Sequence, residues 1–257
     1  MDKYLQNAVQ TLKNSRFTTA FTGAGISVES GIPSFRGDGG LWDKYDPKVL
    51  EIDHFLKNPE LSWPVIKDIF YNFFDHAVPN KAHHVLARME KAGMLGRIIT
   101  QNIDNLHQEA GSLMVYEFHG NSKTLVCMTC HRTYKAKDMS FDHLPPTCRE
   151  CGGLLKPDFV FFGEGIPQIP MVAAYEAAEI SDVFLIIGTT GEVMPANQFP
   201  GIAKANGATI IEINPEESLY TPEITDIFLQ GKAGEVMAQL EIALFSAPLD
   251  NDKNGVD

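Results

Sequence analysis

The chain has 257 residues, 44% hydrophobic and 21% charged, with a net charge of -12, a length that suits either one α/β core with a smaller insertion or two equal domains. The acidic balance argues against a general polyanion binder, so no nucleic acid partner is expected, and it is compatible with a basic peptide. No apolar run approaches the ~20 residues of a membrane span and residues 1–16 lack an apolar secretory core, so a cytoplasmic protein with no membrane attachment is the expectation.

In chain order, Leu5, Ala8, Val9 and Leu12 recur at helical spacing and predict a helix over 4–14. Residues 17–22 (FTTAFT) are β-branched and aromatic and read as the first strand. Gly23 and Gly25 behind it allow a sharp turn and are expected to bring bare N–H groups toward a diphosphate. A full dinucleotide fingerprint needs a third glycine where this chain has Val28, so the pattern is incomplete. A polar loop carrying Phe35 and Arg36 follows, then a helical insertion over 38–79 whose aromatic-rich helix, 64–74, includes Ile66, Ile69, Phe70, Phe73 and Phe74.

Asn80 caps a helix running through Glu90, and Gly93 closes it. Residues 97–100 (RIIT) form a second buried strand with Gln101, Asn102, Ile103 and Asp104 at its carboxyl end, and a third strand over 115–118 ends at His119 and Gly120. Beyond 121–156, strand 182–187 runs into Gly188, Thr189 and Thr190. Pro195 starts a helix, and strand 208–213 runs into Asn214, Pro215 and Glu216. An amphipathic helix over 232–245 and a disordered polar tail, 248–257, complete the chain.

Strands alternating with helices predict an α/β doubly wound parallel, Rossmann-like sheet from residues 1–37, 80–120 and 157–247. The insertion 38–79 and the module 121–156 would form a smaller domain, with the ligand outside the strand carboxyl ends. All four cysteines lie in that module as two C-x-x-C pairs, Cys127 with Cys130 and Cys148 with Cys151, separated by 17 residues. The spacing reads as one structural zinc ion in a closed tetrahedral thiolate site. A redox dithiol would leave the second pair unexplained, and no export signal favours disulfides.

Read together, Gly23-Ala-Gly-Ile-Ser27, Ser30-Gly-Ile-Pro-x-Phe-Arg-Gly37, Thr100-Gln-Asn-Ile-Asp-Asn-Leu-His107, His119-Gly120, the four cysteines, Val160-Phe-Phe-Gly-Glu164 and Asn214 resemble the sirtuin family in order and spacing over roughly residues 4–245, in the short form of bacterial and archaeal members. The resemblance implies NAD-dependent transfer of an acyl group, most simply acetyl, from lysine in a protein or peptide to ADP-ribose, with NAD consumed and nicotinamide and O-acetyl-ADP-ribose released. It implies that Asn102 and Asp104 hold the nicotinamide carboxamide and an ordered water, and that His119 is the general base on the ribose hydroxyls. Gly23, Ala24, Gly25, Ser27, Phe35, Arg36, Gln101, Ile103, Gly188, Thr189, Thr190, Asn214, Glu216, Lys232 and Ala233 complete the expected NAD-binding set, with Phe35 screening the reactive sugar. Val160, Phe162, Gly163 and Glu164 would bind the peptide as an added strand, and Val160 and Phe162 would flank the acyl-lysine stem.

Some positions carry a second reading. Glu216 serves equally as a helix cap in its Asn-Pro-Glu turn, 160–164 as a buried strand, and His83 and His107 as helix and loop-orienting residues. Thr190-Gly191-Glu192 departs from the Ser-Leu pair usual in the family. Residues 66–74 lack the Tyr-x-x-Arg pair of family members that remove succinyl or malonyl groups, which favours an uncharged acyl group. Lys67 is the one residue there suited to a carboxylate. Two other functions fit parts of the chain: ADP-ribosyl transfer to protein, which breaks the same bond, and a zinc-ribbon binding module. The module is supported by a charge of +3 over 121–156 against -15 elsewhere, but only Tyr134 and Phe141 are available there for base stacking.

Overall fold

The computed structural model describes residues 2–35 and 39–246, so Arg36 and the tail 248–257 lie outside the described residues. Nine strands are described, β1 Thr18–Thr22, β2 Arg97–Thr100, β3 Val115–Glu117, β4 Gly120–Cys127, β5 Thr133–Lys135, β6 Leu155–Phe159, β7 Val183–Ile187, β8 Thr209–Asn214 and β9 Ile227–Gln230. Six form a parallel sheet in the order β3-β2-β1-β7-β8-β9, and β5-β4-β6 form a small antiparallel sheet. In the large sheet the chain reverses its direction of growth between β1 and β7. In an open α/β sheet a ligand crevice opens at such a switch point, outside the strand carboxyl ends.

Side chains along each central strand alternate between two buried layers. Ala20, Ile98, Leu185 and Ile211 pack under the helices Lys3–Asn14, Lys81–Lys91 and Ala233–Phe245, whereas Phe21, Ile99, Ile186 and Ile210 pack under Gln168–Ile180 and Phe199–Ala205. Covered on both faces, these strands read as continuous apolar runs. A third core joins residues of the segment 32–74, including Trp63, Ile66 and Phe70, to residues of the segment 103–161, including Leu125, Cys127, Cys148 and Phe161.

Several sequence expectations shift. Asn80 caps its helix by accepting from the Ala82 N–H, and Gly93 follows with φ 72°, as read. The aromatic helix begins at Pro59 rather than Pro64, however. Pro64 lies inside Pro59–Ile66, and the chain then widens into π-helical bonding over Lys67–Phe73. A proline has no N–H for the carbonyl four residues back, and an irregular ladder accommodates that loss. Asn214 ends β8 itself, and no helix follows it, so capping by the Asn-Pro-Glu turn is ruled out. Helix Gln168–Ile180 and strand β9 add elements not read from the sequence. Among the described residues no helix is long and apolar enough to cross a membrane.

Candidate active site

The turns at the carboxyl ends of the large sheet enclose a cavity of about 570 Å³. At its floor Gly23 and Gly25 do not present bare N–H groups, which corrects the sequence reading: the Gly23 N–H donates to the Ile187 carbonyl (3.0 Å) and the Gly25 N–H to the Gly188 carbonyl (2.8 Å). Ala24 is the residue of this trio whose N–H has no partner among the described residues. The glycines serve close approach. A Cβ on Gly25 would lie 2.7 Å from the Gly188 Cα, and one on Gly188, which has φ 65°, would lie 2.3 Å from the Ile26 nitrogen. Two strand-end turns thus interlock only because neither carries a side chain.

Asn102, Ser27 and Asp104 form a buried chain behind the cavity wall. The Asn102 amide donates to the Gly23 carbonyl and to Ser27 Oγ (both 3.1 Å), and Ser27 donates to Asp104 Oδ2 (2.7 Å). Burial raises the Asp104 pKa, opposed by hydrogen bonds from the Leu106 N–H and Ser27. The Asn102 carbonyl oxygen has no partner among the described residues, and Asn102 lines the cavity, whereas Ser27 and Asp104 stand one layer behind it. His107 braces the same loop. Thr22 Oγ1 donates to Thr100 Oγ1 (2.9 Å) and so accepts from His107 Nε2 (2.9 Å), while Thr100 Oγ1 accepts the Asn102 N–H (3.1 Å). His83 is more than a helix residue, because its ring lies 4.9 Å from that of His107 and its Nε2 is 3.5 Å from Ser27 Oγ.

His119 lies at the end of the β3 segment, its Nδ1 2.9 Å from the Gln101 carbonyl. A carbonyl only accepts, so Nδ1 carries the proton and Nε2 is the basic atom. Burial lowers the His119 pKa, opposed by the Gln101 carbonyl. The whole segment 159–164 lines the cavity, with Phe159 and Phe161 buried and Phe162 exposed. It is therefore neither a plain buried strand nor a free edge: Phe162 exchanges backbone bonds with Leu50 and Ile52, and the Val160 N–H donates to the His119 carbonyl (2.8 Å). The Glu164 carboxylate, expected at the substrate, is bonded to Lys156 Nζ (2.9 Å) and the Phe161 N–H (2.7 Å).

Phe35 reaches the cavity and packs on Trp42 (ring centroids 5.3 Å apart), which in turn neighbours Phe162 at 6.3 Å. Leu50, Phe70 and Ile103 extend this apolar wall. At the opposite end Gln101 Nε2 donates to Thr189 Oγ1 (3.2 Å), and the Asn214 amide donates to the Thr189 carbonyl (3.1 Å) and to Glu212 Oε1 (2.9 Å). Thr190 and Glu216 line the cavity, whereas Lys232 and Ala233, at the start of the last helix, do not. Sequence reasoning missed Trp42 and the fully buried Glu212. An acid inside the apolar run of β8 was the available signal for Glu212, and nothing marked Trp42.

The four cysteine sulfurs lie within 4.8 Å of one another, with 3.5 Å between Cys127 and Cys151 and 3.7 Å between Cys130 and Cys148. Thiolates about 2.3 Å from a tetrahedral zinc stand about 3.8 Å apart, so this donor set fits one zinc ion. The Thr129 and Cys130 N–H groups point at Cys127 Sγ, and the Tyr134 hydroxyl, 3.0 Å from Cys148 Sγ, pulls that thiol down to about 6.

Residues 23–195 match the profile of the Sir2 family. A Pyrobaculum aerophilum protein named NAD-dependent protein deacylase 2 is 47% identical over 238 residues, covering 91% of this chain and 93% of its own. A Thermococcus sibiricus protein named NAD-dependent protein deacylase is 45% identical over 243 residues, 92% and 94% of the two chains. Among solved structures, a Sir2 homologue–NAD complex superposes with a TM-score of 0.86 at 41% identity, over 95% of this chain and 94% of the other. A Sir2–p53 peptide–NAD+ complex does so at 0.84 and 34%, over 93% and 97%. With the interlocked glycine turns, the Asn102–Ser27–Asp104 chain, His119 and the cysteine cluster in one molecule, these likenesses show that the chain belongs to the Sir2 family.

Proposed function

We propose that the protein is an NAD-dependent protein deacylase that removes uncharged acyl groups, acetyl in the simplest case, from lysine side chains. The observation that carries this reading is His119, a histidine kept neutral by burial, with Nδ1 committed to the Gln101 carbonyl and Nε2 left as a base in the cavity that Asn102 also lines. The cleft fits NAD: the Ala24 N–H is unpartnered among the described residues, the Gly25–Gly188 approach leaves no room for a Cβ, and the Asn102 amide oxygen is open to a donor. When bound, NAD supplies an electrophilic ribose carbon whose leaving group is nicotinamide.

In this reading the Ala24 N–H donates to a diphosphate oxygen. Asn102 receives the carboxamide, and Ser27 holds Asp104 behind it. Phe35 shields the reacting sugar from water. His119 Nε2 accepts a proton from a ribose hydroxyl. Glu212 braces Asn214 at the adenosine end.

The choice of acyl group follows from charge. No lysine or arginine lines the cavity among the described residues, and Lys67 is committed to the Phe141 carbonyl (2.9 Å). A carboxylate entering the apolar wall of Leu50, Phe70 and Phe159 would lose its hydration without gaining a partner. Turnover of matched acetyl- and succinyl-lysine peptides is therefore expected to favour acetyl by about a hundredfold or more. Equal or preferred succinyl turnover would contradict the assignment.

A further inference from the structure

We propose that Lys156 is a positioning residue for the peptide substrate: from behind the site it locks the segment 157–164 so that the Val160 carbonyl and the Gly163 N–H stand open to a peptide backbone. The proposal rests on the deacylase reading above.

Lys156 lies in β6 and is 4% exposed. Its ammonium has three protons and meets three acceptors, the Phe159 carbonyl (2.7 Å), the Pro157 carbonyl (3.1 Å) and Glu164 Oε2 (2.9 Å), with the Phe161 ring centroid 4.3 Å away. All four partners belong to one short stretch of chain. The Glu164 carboxylate also accepts the Phe161 N–H, so a single ion pair ties the start of the stretch to its end.

Tracing the remaining backbone groups shows what this leaves. The Val160 N–H is bonded to His119, the Phe162 N–H to Leu50, the Phe162 carbonyl to Ile52 and the Phe161 carbonyl to the Glu164 N–H. The Val160 carbonyl and the Gly163 N–H have no partner among the described residues, and both residues line the cavity. They are an acceptor just beyond the end of β6 and a donor within the turn that the Glu164 N–H closes onto the Phe161 carbonyl, where Gly163 has φ 91°, so each is free to make one hydrogen bond with a bound peptide. A buried ion pair adds little net stability compared with apolar residues of the same size, and its best attested use is to fix geometry. Here the geometry fixed is that of the bend after β6 at the cavity wall.

Calorimetric titration of Lys156→Met with an acetyl-lysine peptide, and separately with ADP-ribose, separates positioning from general support. Peptide affinity is expected to fall about tenfold or more, the scale of one lost hydrogen bond, with ADP-ribose affinity changed by less than about twofold and most of the peptide affinity restored in Lys156→Arg. Wild-type peptide affinity in Lys156→Met, or equal loss of both ligands, would overturn the proposal. Hydrogen exchange on the unmodified protein tests it without any variant. The Gly163 amide is expected to exchange faster than those of Phe161 and Phe162 and to become protected when the peptide binds; a Gly163 amide protected in the free protein, or unaffected by peptide, would overturn it. Unmodified protein that binds ADP-ribose but no acyl-lysine peptide would overturn the deacylase reading and this proposal together, and that failure is recognisable because it needs no substitution.

Discussion

At the scale of single residues, the chemistry depends on which atoms are left without partners. His119 Nδ1 is committed to the Gln101 carbonyl and burial lowers the ring's pKa, so the group proposed as base is neutral at neutral pH. The sign of the pH effect follows: activity needs the neutral ring, is present above the lowered value and is lost as pH falls through it. The acidic limb of the rate profile is expected below 6.5, the ordinary histidine value. His119→Ala should lower deacylation by about 10²- to 10⁴-fold and leave the melting temperature near that of the wild type. An acidic limb above 6.5, or an active alanine variant, would remove His119 from the role of base. The placement of Asn102 and His119 at the cavity was legible in the sequence, because both stand next to strand ends that an apolar run marks plainly. The Asn102–Ser27–Asp104 chain was not, since it joins residues 77 positions apart.

At the scale of elements, the glycine turn was found for an incomplete reason. Its pattern suggested bare N–H groups for phosphate, whereas both glycine N–H groups are used inside the protein and the small side chains serve the contact with Gly188. That partner lies far along the chain, and no local pattern announces it. Gly188→Ala is expected to lower stability by more than about 2 kcal/mol and to weaken ADP-ribose binding, because its Cβ would meet the Ile26 nitrogen at a backbone angle unfavourable to alanine. A thermal melt and an ADP-ribose titration check this, and an unchanged pair of values would contradict the interlock. Helix Gln168–Ile180 escaped the sequence reading for another reason. Its buried face is only Ala173, Ala174, Ala177 and Ala178, while Ile169, Val172 and Ile180 are exposed, so its apolar pattern is blurred.

At the scale of the whole molecule, the parallel doubly wound sheet was legible, because alternating strand and helix patterns allow few topologies, whereas the strand order and the edge strand β9 were not read. The small antiparallel sheet was not, because β4 is long and only partly apolar and β5 has three residues. Cys127 and Cys148 are buried in the core that also holds Trp63, Phe70 and Phe161, so the cysteine cluster supports the apolar wall of the cavity through shared packing. Cys127→Ser is expected to lose zinc and lower the melting temperature by about 10 °C or more. Metal analysis and calorimetry check it, and a variant that keeps both its zinc and its melting temperature would contradict a structural site. The central claim is that one cavity transfers an acyl group from lysine to the sugar of NAD. Mass spectrometry of the purified protein incubated with NAD and an acetyl-lysine peptide tests it most directly: deacetylated peptide, nicotinamide and O-acetyl-ADP-ribose in equal amounts are expected, and unchanged peptide with ADP-ribose attached to protein would contradict it.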